Sequence, residues 1–198
     1  MQSPSDSELW AAFRKGDRMA FTWIYDRNIK DLLRYGYRVC SNQQLIKDSI
    51  HDLFLHLWLH RDNLSDTDNI RFYLFRSLRN RIVNNSKVLA PVAWTDVEQI
   101  LDKVFSDLPL EHTIIEQEDS EYQIKALRKA IDRLPKRQQE VIQLRYFHDF
   151  SLDEIASVMQ INNQSVRNLI HRSIAQLKEI CELAGWLFLL VFNHINKE

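Results

Sequence analysis

The side chains with the clearest capacity for chemistry lie toward the C-terminal end, in a segment whose apolar positions have helical spacing. Val166, Ile170 and Ile174 fall on one face of a predicted helix, and the opposite face is polar. The polar positions of this segment are Asn163, Gln164, Ser165, Arg167, Asn168, His171 and Arg172. Arginine neutralises phosphates or donates two hydrogen bonds to guanine, and carboxamides pair with adenine. These residues predict a surface for duplex DNA, and the alternative is an ordinary solvated face.

A second polar set lies on a predicted helix near residue 75. Phe72, Arg76 and Arg79 share one side of that helix, and Asn80 adjoins them. Aromatic rings stack on unpaired bases while arginines meet phosphates, so this mixture suits a single nucleic-acid strand. Phe72 would fit equally well in a hydrophobic core. The pattern by itself leaves both interpretations open.

A third set lies on the preceding predicted helix. Asp48, Asp52 and His56 follow at intervals of four and form a polar face, and Leu55 leaves apolar surface beside it. Such a face suits the docking of a partner protein, although a solvated face is the commoner explanation. His56 and His60 have the spacing of a metal-binding pair, but no third ligand is evident. We therefore predict a structural role for the two histidines and no metal site.

No residue pattern predicts catalysis. The sequence has no phosphate-cradling glycine loop and no nucleophile with a plausible base, so we predict no catalytic residue, no cofactor and no small-molecule substrate. Cys40 and Cys181 are far apart and belong to no Cys-x-x-Cys pair, which favours a reducing cytoplasm. Residues 1–8 are polar and acidic, unlike the start of a signal peptide.

Helices must position these residues, because the chain has only 3 glycines and 4 prolines, too few for a many-stranded β fold. We predict an all-α protein with two small helical domains. The first domain is predicted to hold four helices, each beginning at a capping pattern. The predicted caps are Ser5 with Glu8, Asp17, Ser41 with Gln44, and Asp68 or Asn69.

The distribution of charge separates the two domains. Residues 1–95 carry 14 basic and 10 acidic side chains, residues 96–120 carry 1 and 8, and residues 121–198 carry 11 and 9. An acidic segment therefore lies between two mildly basic blocks. The predicted divisions are a first domain over 1–90, an acidic linker over 91–120, a second domain over 121–182 and an apolar tail over 183–198.

The second domain has the pattern of a helix-turn-helix. Pro135 is well placed in the first turn of a helix, and Ser151 with Glu154 forms a capping box for a short helix after it. A tight turn follows through Gln160, and Asn163 can cap a longer helix. This order of short helix, tight turn and longer helix is the one that sets a recognition helix in the major groove.

Four segments, taken in order, resemble the extracytoplasmic-function sigma factors of the sigma-70 superfamily. Residues 48–58 look like the polymerase-binding helix of the family's region 2, and residues 70–82 resemble the helix that contacts the minus-ten promoter element. Residues 134–146 and 151–156 are similar to the opening of region 4. The order of the segments along the chain makes the resemblance specific.

The resemblance implies a sigma factor that binds core RNA polymerase and directs promoter recognition, DNA melting and transcription initiation. Contacts to the β and β′ subunits would come from Asp48, His51, Asp52, Leu55 and His56. Contacts to the minus-ten element would come from Arg61, Asn63, Asn69, Phe72, Arg76, Arg79 and Asn80. The loop over residues 61–69 would receive a flipped base, and the polar set of residues 163–172 would contact the minus-thirty-five element. The alternative is a free-standing helix-turn-helix regulator that binds duplex DNA without polymerase.

Three features depart from the family pattern. Gln160 stands at the turn where relatives usually have glycine, the residue that adopts a left-handed backbone most easily. Leu169 and Ile174 stand where relatives commonly carry arginine, so we expect help in promoter binding from strong region 2 contacts or from an accessory targeting protein. The apolar segment Leu183–Phe192 is shorter than the roughly 20 residues that span a bilayer. We expect this segment to pack against region 4 or to be covered by an anti-sigma factor.

Overall fold

A computed structural model describes residues 4–85 and 127–180 of the chain. The chain divides into two compact units, and every regular element in the described residues is helical. The predicted all-α fold with two helical domains is therefore confirmed. The predicted acidic linker, residues 91–120, and the predicted tail, residues 183–198, lie outside the described residues.

Four α-helices and one 3-10 turn build the described part of the N-terminal domain. The α-helices are α1 (Asp6–Arg14), α2 (Arg18–Val39), α3 (Gln43–Leu59) and α4 (Ile70–Asn85). The 3-10 turn, Arg61–Asn63, follows α3 closely and opens the connection to α4. Helices α2, α3 and α4 pack against one another, and α1 packs against α2.

Most helices of this domain begin at a predicted cap. The capping box of Ser5 and Glu8 is present at α1, and the Asp17 carboxylate accepts two backbone hydrogen bonds at the start of α2. Asn69 caps α4, since its Oδ1 accepts a hydrogen bond from the Phe72 N–H at 2.9 Å. Each cap satisfies backbone donors that the first helical turn leaves without a partner.

The predicted cap of α3 is wrong by one residue. Asn42, not Ser41, is the N-cap, and its Oδ1 accepts a hydrogen bond from the Leu45 N–H at 3.1 Å. The Gln44 side chain donates to Asp48 Oδ1 at 2.8 Å instead of closing a capping box. Serine and asparagine are both favourable N-caps, so two adjacent candidates competed here.

The core of the N-terminal domain is rich in aromatic side chains. The largest side chains that are fully buried include Trp10, Tyr35, Phe13, Phe54 and Phe75. Gly36 lets α2 approach α3, because a Cβ at that position would lie 2.4 Å from Ile46 Cγ2. Burial of so much aromatic surface stabilises the domain and makes α1 an integral part of it.

Four helices also occur in the described part of the C-terminal domain. They are α5 (127–133), α6 (Lys136–Ile142), α7 (Leu152–Met159) and α8 (Asn163–Ile180). A π-helical turn, Gln143–Phe147, continues α6, and α6 packs along α8. The buried side chains of Val141, Leu144, Ile155 and Val166 supply the apolar contacts that hold these helices together.

One predicted cap in this domain is confirmed and two differ by one position. The Ser151 N–H and Oγ both donate to Glu154 Oε2, and the Glu154 N–H donates to Ser151 Oγ, so the capping box is present. Pro135 is the N-cap of α6 rather than a residue of its first turn. Asn162, not Asn163, caps α8, because its Oδ1 accepts from the Ser165 N–H at 2.7 Å.

The turn between α7 and α8 has the backbone conformation that favours glycine. Gln160 has a φ of +55°, and its side chain is exposed. The next N–H, that of Ile161, donates to the Ala156 carbonyl at 3.1 Å and closes the end of α7. A left-handed backbone costs an ordinary L residue roughly 1–2 kcal/mol, so the turn carries local strain.

Replacing Gln160 by glycine should raise the free energy of unfolding of the C-terminal domain by about 0.5 kcal/mol. Glycine removes the Cβ clash, and its larger freedom in the unfolded chain offsets part of that gain. Gln160→Ala keeps the Cβ and should bring no gain. Urea unfolding of the full chain, followed by circular dichroism, measures both variants. A glycine variant no more stable than the alanine variant would contradict the strain at this turn.

Candidate nucleic-acid and partner interfaces

The polar set on α8 lies at the surface of the C-terminal domain. All seven members lie within the first three turns of the helix, and all seven are exposed: Asn163, Gln164, Ser165, Arg167, Asn168, His171 and Arg172. Gln164 Nε2 donates to Asn168 Oδ1 at 3.1 Å, which aligns two amides one turn apart. Two arginines, a histidine and several amides on one face can contact both phosphates and base edges.

Local contacts fix where this face begins. The Asn162 cap sets the first turn of α8, and the Asn163 side chain donates to the Asp153 carboxylate on α7. Since α7 is itself held by the Ser151 capping box, both helices of the motif start at defined residues. The polar face is therefore preorganised relative to the helix that precedes it.

Leu169 and Ile174 on α8 are half-buried. Ser173 between them is buried, and its Oγ donates to the Leu169 carbonyl at 2.7 Å. The two apolar side chains therefore contribute packing at the edge of the polar face. The arginines on the polar face of α8, Arg167 and Arg172, are exposed.

The structure places the predicted set on α4 differently from the sequence. Arg76 is exposed and Phe72 and Asn80 are half-buried, but Arg79 is only 7% exposed. The expectation that Arg79 shares the exposed side with Arg76 is wrong. Arg79 directly follows buried Leu78 on the helix, and packing against two other helices widens the buried face.

The connection between α3 and α4, residues 61–69, forms a structured loop. The Arg61 guanidinium donates to the Trp58 carbonyl at 2.7 Å and lies over the indole ring, 4.9 Å from its centroid. Asn63 is exposed, Leu64 is buried, and Asn69 is engaged as the cap of α4. The loop thus presents polar groups to solvent while one apolar side chain anchors it.

Residues of α1, which the sequence did not indicate, hold this loop. The Trp10 Nε1–H donates to the Ser65 carbonyl at 3.0 Å, and Arg14 forms an ion pair with Asp66. Asp6 lies beside the start of α4 and accepts a hydrogen bond from the Ile70 N–H at 3.0 Å. The only sequence signal for these contacts is the spacing of four between Asp6, Trp10 and Arg14. The same spacing is common on helix faces, so it does not predict these contacts.

The predicted docking face on α3 has one member that is not at the surface. His56 is exposed and Asp48, Asp52 and Leu55 are half-buried, but His51 is only 6% exposed. The expectation of an accessible His51 is therefore wrong, because its neighbours along the helix, Ile50 and Leu53, turn inward with it.

Electrostatics at this face centre on His56, Arg81 and Asp52. Partial burial lowers the pKa of His56, and the nearby positive charges of Arg81 and His60 lower it further. Burial also lowers the pKa of Arg81, an effect that the Asp52 carboxylate partly offsets. The face therefore combines carboxylates with an imidazole for which the neutral form is favoured.

The two histidines at the end of α3 stack on each other. Their ring centroids lie 4.3 Å apart, and His60 Nδ1 lies 3.1 Å from the His56 carbonyl oxygen. Within residues 4–85 and 127–180, no group of three or more His, Cys, Asp or Glu side chains could hold a metal ion. In the same residues, no helix is long and apolar enough to cross a membrane.

Two family models match the chain in sequence. Residues 24–87 match Sigma-70 region 2, and residues 124–177 match Sigma-70, region 4. The first match covers most of α2, all of α3, the α3–α4 connection and α4, and the second covers α5, α6, α7 and most of α8. The two matches occur in the same order as the two helical domains.

Two curated relatives from Bacillus subtilis extend the match over most of the chain. The chain is 32% identical to the RNA polymerase sigma factor SigV over 149 residues, which cover 75% of this chain and 83% of that protein. It is 24% identical to the ECF RNA polymerase sigma factor SigW over 175 residues, which cover 84% of this chain and 91% of that protein.

Two solved structures have the same fold. One is CnrH in complex with the cytosolic domain of CnrY, with a TM-score of 0.58 at 19% identity, covering 92% of this chain and 100% of that one. The other is the sigma factor RpoE from Bartonella quintana in complex with the anti-sigma factor NepR, with a TM-score of 0.56 at 17% identity. The latter match covers 82% of this chain and 96% of that one.

Proposed function

This chain belongs to the sigma-70 family of RNA polymerase sigma factors, in its extracytoplasmic-function group, and from that membership we propose how its residues divide promoter recognition. As a sigma factor it binds core RNA polymerase and directs promoter recognition and transcription initiation. The observation that carries this conclusion is the ordered pair of region 2 and region 4 on one chain. The family consists of initiation factors rather than enzymes, and we propose that this chain alone catalyses no reaction.

We assign docking on core polymerase to the outer face of α3. Asp48, Asp52 and His56 supply polar groups there, and Leu55 supplies apolar contact. Leu59, at the end of the same helix, is 60% exposed and extends the apolar part of the face. A face with both kinds of side chain can bury apolar area while carboxylates fix the orientation of the partner. His51 supports this face from inside the domain.

The α3–α4 loop and the exposed side of α4 are assigned to the melted minus-ten strand. A base leaving the duplex needs a shaped pocket with polar groups and stacking surfaces, and the loop offers Asn63 together with the Arg61–Trp58 stack. Phe72 and Arg76 on α4 suit the stacking and phosphate contacts that a single strand requires. Arg79 is buried, so its role in this surface is to support α4 from within the domain. Asn69 supports the surface by capping the start of α4.

Region 4 is assigned to the minus-thirty-five element through the exposed face of α8. Arg167 and Arg172 supply the charge that binds phosphates, and Gln164 and Asn168 supply the donors and acceptors that read bases. With packing residues at Leu169 and Ile174, few cations remain on this helix. We propose that strong region 2 contacts or an accessory targeting protein compensate for this.

Three further proposals concern a protein partner, the domain limits and the cellular location. The sigma factor RpoE from Bartonella quintana, which has the same fold, was solved in complex with the anti-sigma factor NepR, and we propose that such a protein also binds this chain. The domain limits proposed for the full protein are 1–90 and 121–182, with the acidic segment 91–120 directed toward the basic channel of the polymerase. Because polymerase and promoter DNA are cytoplasmic, we place the protein there.

A binding titration with and without core polymerase separates this function from that of a free-standing regulator. A sigma factor should bind promoter duplex tightly only when core enzyme is present, because the polymerase supplies much of the binding surface. Fluorescence anisotropy of labelled promoter duplex measures both conditions. Tight, sequence-specific binding by the protein alone, unchanged by core enzyme, would favour the regulator.

Reversing the charges of the docking face should abolish binding to core polymerase. The variant Asp48→Arg with Asp52→Arg removes two carboxylates from α3. Both sites are half-buried, and Asp52 no longer offsets the burial of Arg81, so the free energy of unfolding should fall by about 1 kcal/mol. Asp26→Arg, an exposed charge reversal on α2, is the control and should bind normally. Core affinity is measured by competition with labelled wild-type protein, and circular dichroism checks the fold. An unchanged affinity of the double variant would remove the assignment of this face.

The polar face of α8 can be tested by the salt dependence of promoter binding. The slope of log affinity against log salt is negative, and its magnitude should fall by about 0.9 in Arg167→Ala and rise by a similar amount in Leu169→Arg, since each phosphate contact releases counterions. Arg133→Ala, at an exposed site in the same domain, is the control and should leave the slope unchanged. Holoenzyme affinity for promoter duplex over a salt series gives the three slopes. If Arg167→Ala has the same slope as the control, α8 does not lie on the DNA backbone.

A further inference from the structure

Three side chains of α1 contact three successive points of the segment that leads into α4. Trp10 donates to the carbonyl of Ser65, Arg14 pairs with Asp66, and Asp6 accepts from the N–H of Ile70. The three α1 residues are spaced by four, so they form one stripe along the helix. We call Asp6, Trp10 and Arg14 the α1 stripe.

These contacts differ from ordinary core packing because each uses a polar atom. Trp10 is 1% exposed, and its single polar atom, Nε1, is directed at a backbone carbonyl of the loop. The Asp6 carboxylate contacts two elements. One oxygen accepts a hydrogen bond from the Ile70 N–H, and the other accepts one from Arg27 on α2 at 3.3 Å. The stripe therefore couples the backbone of the loop to both α1 and α2.

The middle of the loop is exposed to solvent. Leu64 is its buried apolar side chain, and Ser65, Asp66 and Asp68 are exposed. A surface loop of this kind adopts one shape only when other elements hold its backbone. Trp10 Nε1 and Asp6 supply that restraint at both sides of the exposed residues.

We propose that Asp6, Trp10 and Arg14 are positioning residues for base capture, which hold the α3–α4 loop in the open shape that receives an unpaired promoter base. The proposal rests on the assignment of the loop to the minus-ten strand made above. The stripe does not touch DNA in this account. It lowers the conformational cost of binding, because a loop already held in its binding shape loses less freedom when the base enters.

The test compares Trp10→Phe with Trp23→Phe in full-length protein bound to core polymerase. Trp10→Phe keeps an aromatic ring in the core and removes the N–H that holds Ser65. Trp23 is 48% exposed on α2, so Trp23→Phe makes the same chemical change away from the loop. The DNA probes are single-stranded minus-ten oligonucleotides from a promoter identified by reconstituted transcription, intact or with one abasic site at each position in turn.

The readout is the ratio of the affinity for the intact oligonucleotide to that for the abasic one. Wild-type holoenzyme should prefer the intact strand at the captured position. Trp10→Phe should reduce that preference about fivefold, as expected for the loss of one buried hydrogen bond, with little change for the abasic strand. Trp23→Phe should keep the wild-type ratio. General destabilisation of the domain would weaken both strands equally and leave the ratio unchanged.

Arg14→Gln provides a second variant that leaves the aromatic core residues unchanged, because Arg14 is half-buried at 29% exposure and its partner Asp66 is 88% exposed. It should lower the same ratio by about twofold while core affinity stays constant. If wild type shows a preference that both variants retain, the positioning role is wrong and the loop assignment stands. If wild type shows no preference at any position, the assignment of the loop to base capture is itself wrong.

Discussion

The hydrogen bond from the Trp10 indole to the Ser65 carbonyl is the contact on which the proposed shape of the α3–α4 loop most depends. It joins the first helix to a loop 55 residues later in the chain, and it does so from a side chain that is 1% exposed. The ring of Trp10 also packs against Phe13 and Tyr73, each at 5.1 Å between ring centroids. The same residue therefore fills the core and fixes the backbone beside the exposed polar groups of the loop.

The two domains orient their polar faces by different physical means. In the N-terminal domain, side chains distant in sequence hold a loop and the start of α4. In the C-terminal domain, local caps and the left-handed turn at Gln160 set the start of α8. Local contacts of this kind form without the entropic cost of closing a long loop, whereas the contacts of α1 require the whole domain to be assembled.

Sequence patterns predicted the features that depend on residues close together in the chain, namely the helices and the exposed face of α8. The scarcity of glycine and proline predicted the all-α fold, and helical periodicity placed the helices. The exposed residues of α8 were identified correctly because that helix has one clear buried face. The errors at His51 and Arg79 arose on helices packed by several neighbours, where the buried face is wider than the apolar stripe. The α1 stripe could not be predicted, because its partners lie more than 50 residues away and include backbone groups that carry no sequence signal.

The most direct measurement of the central claim is reconstituted transcription with purified core polymerase and this protein, on templates that carry a randomised upstream region. We expect transcripts that start at a defined distance from a selected pair of promoter elements, and only when the protein is present. Stable binding to core enzyme without any sequence-dependent start on this library would contradict this expectation.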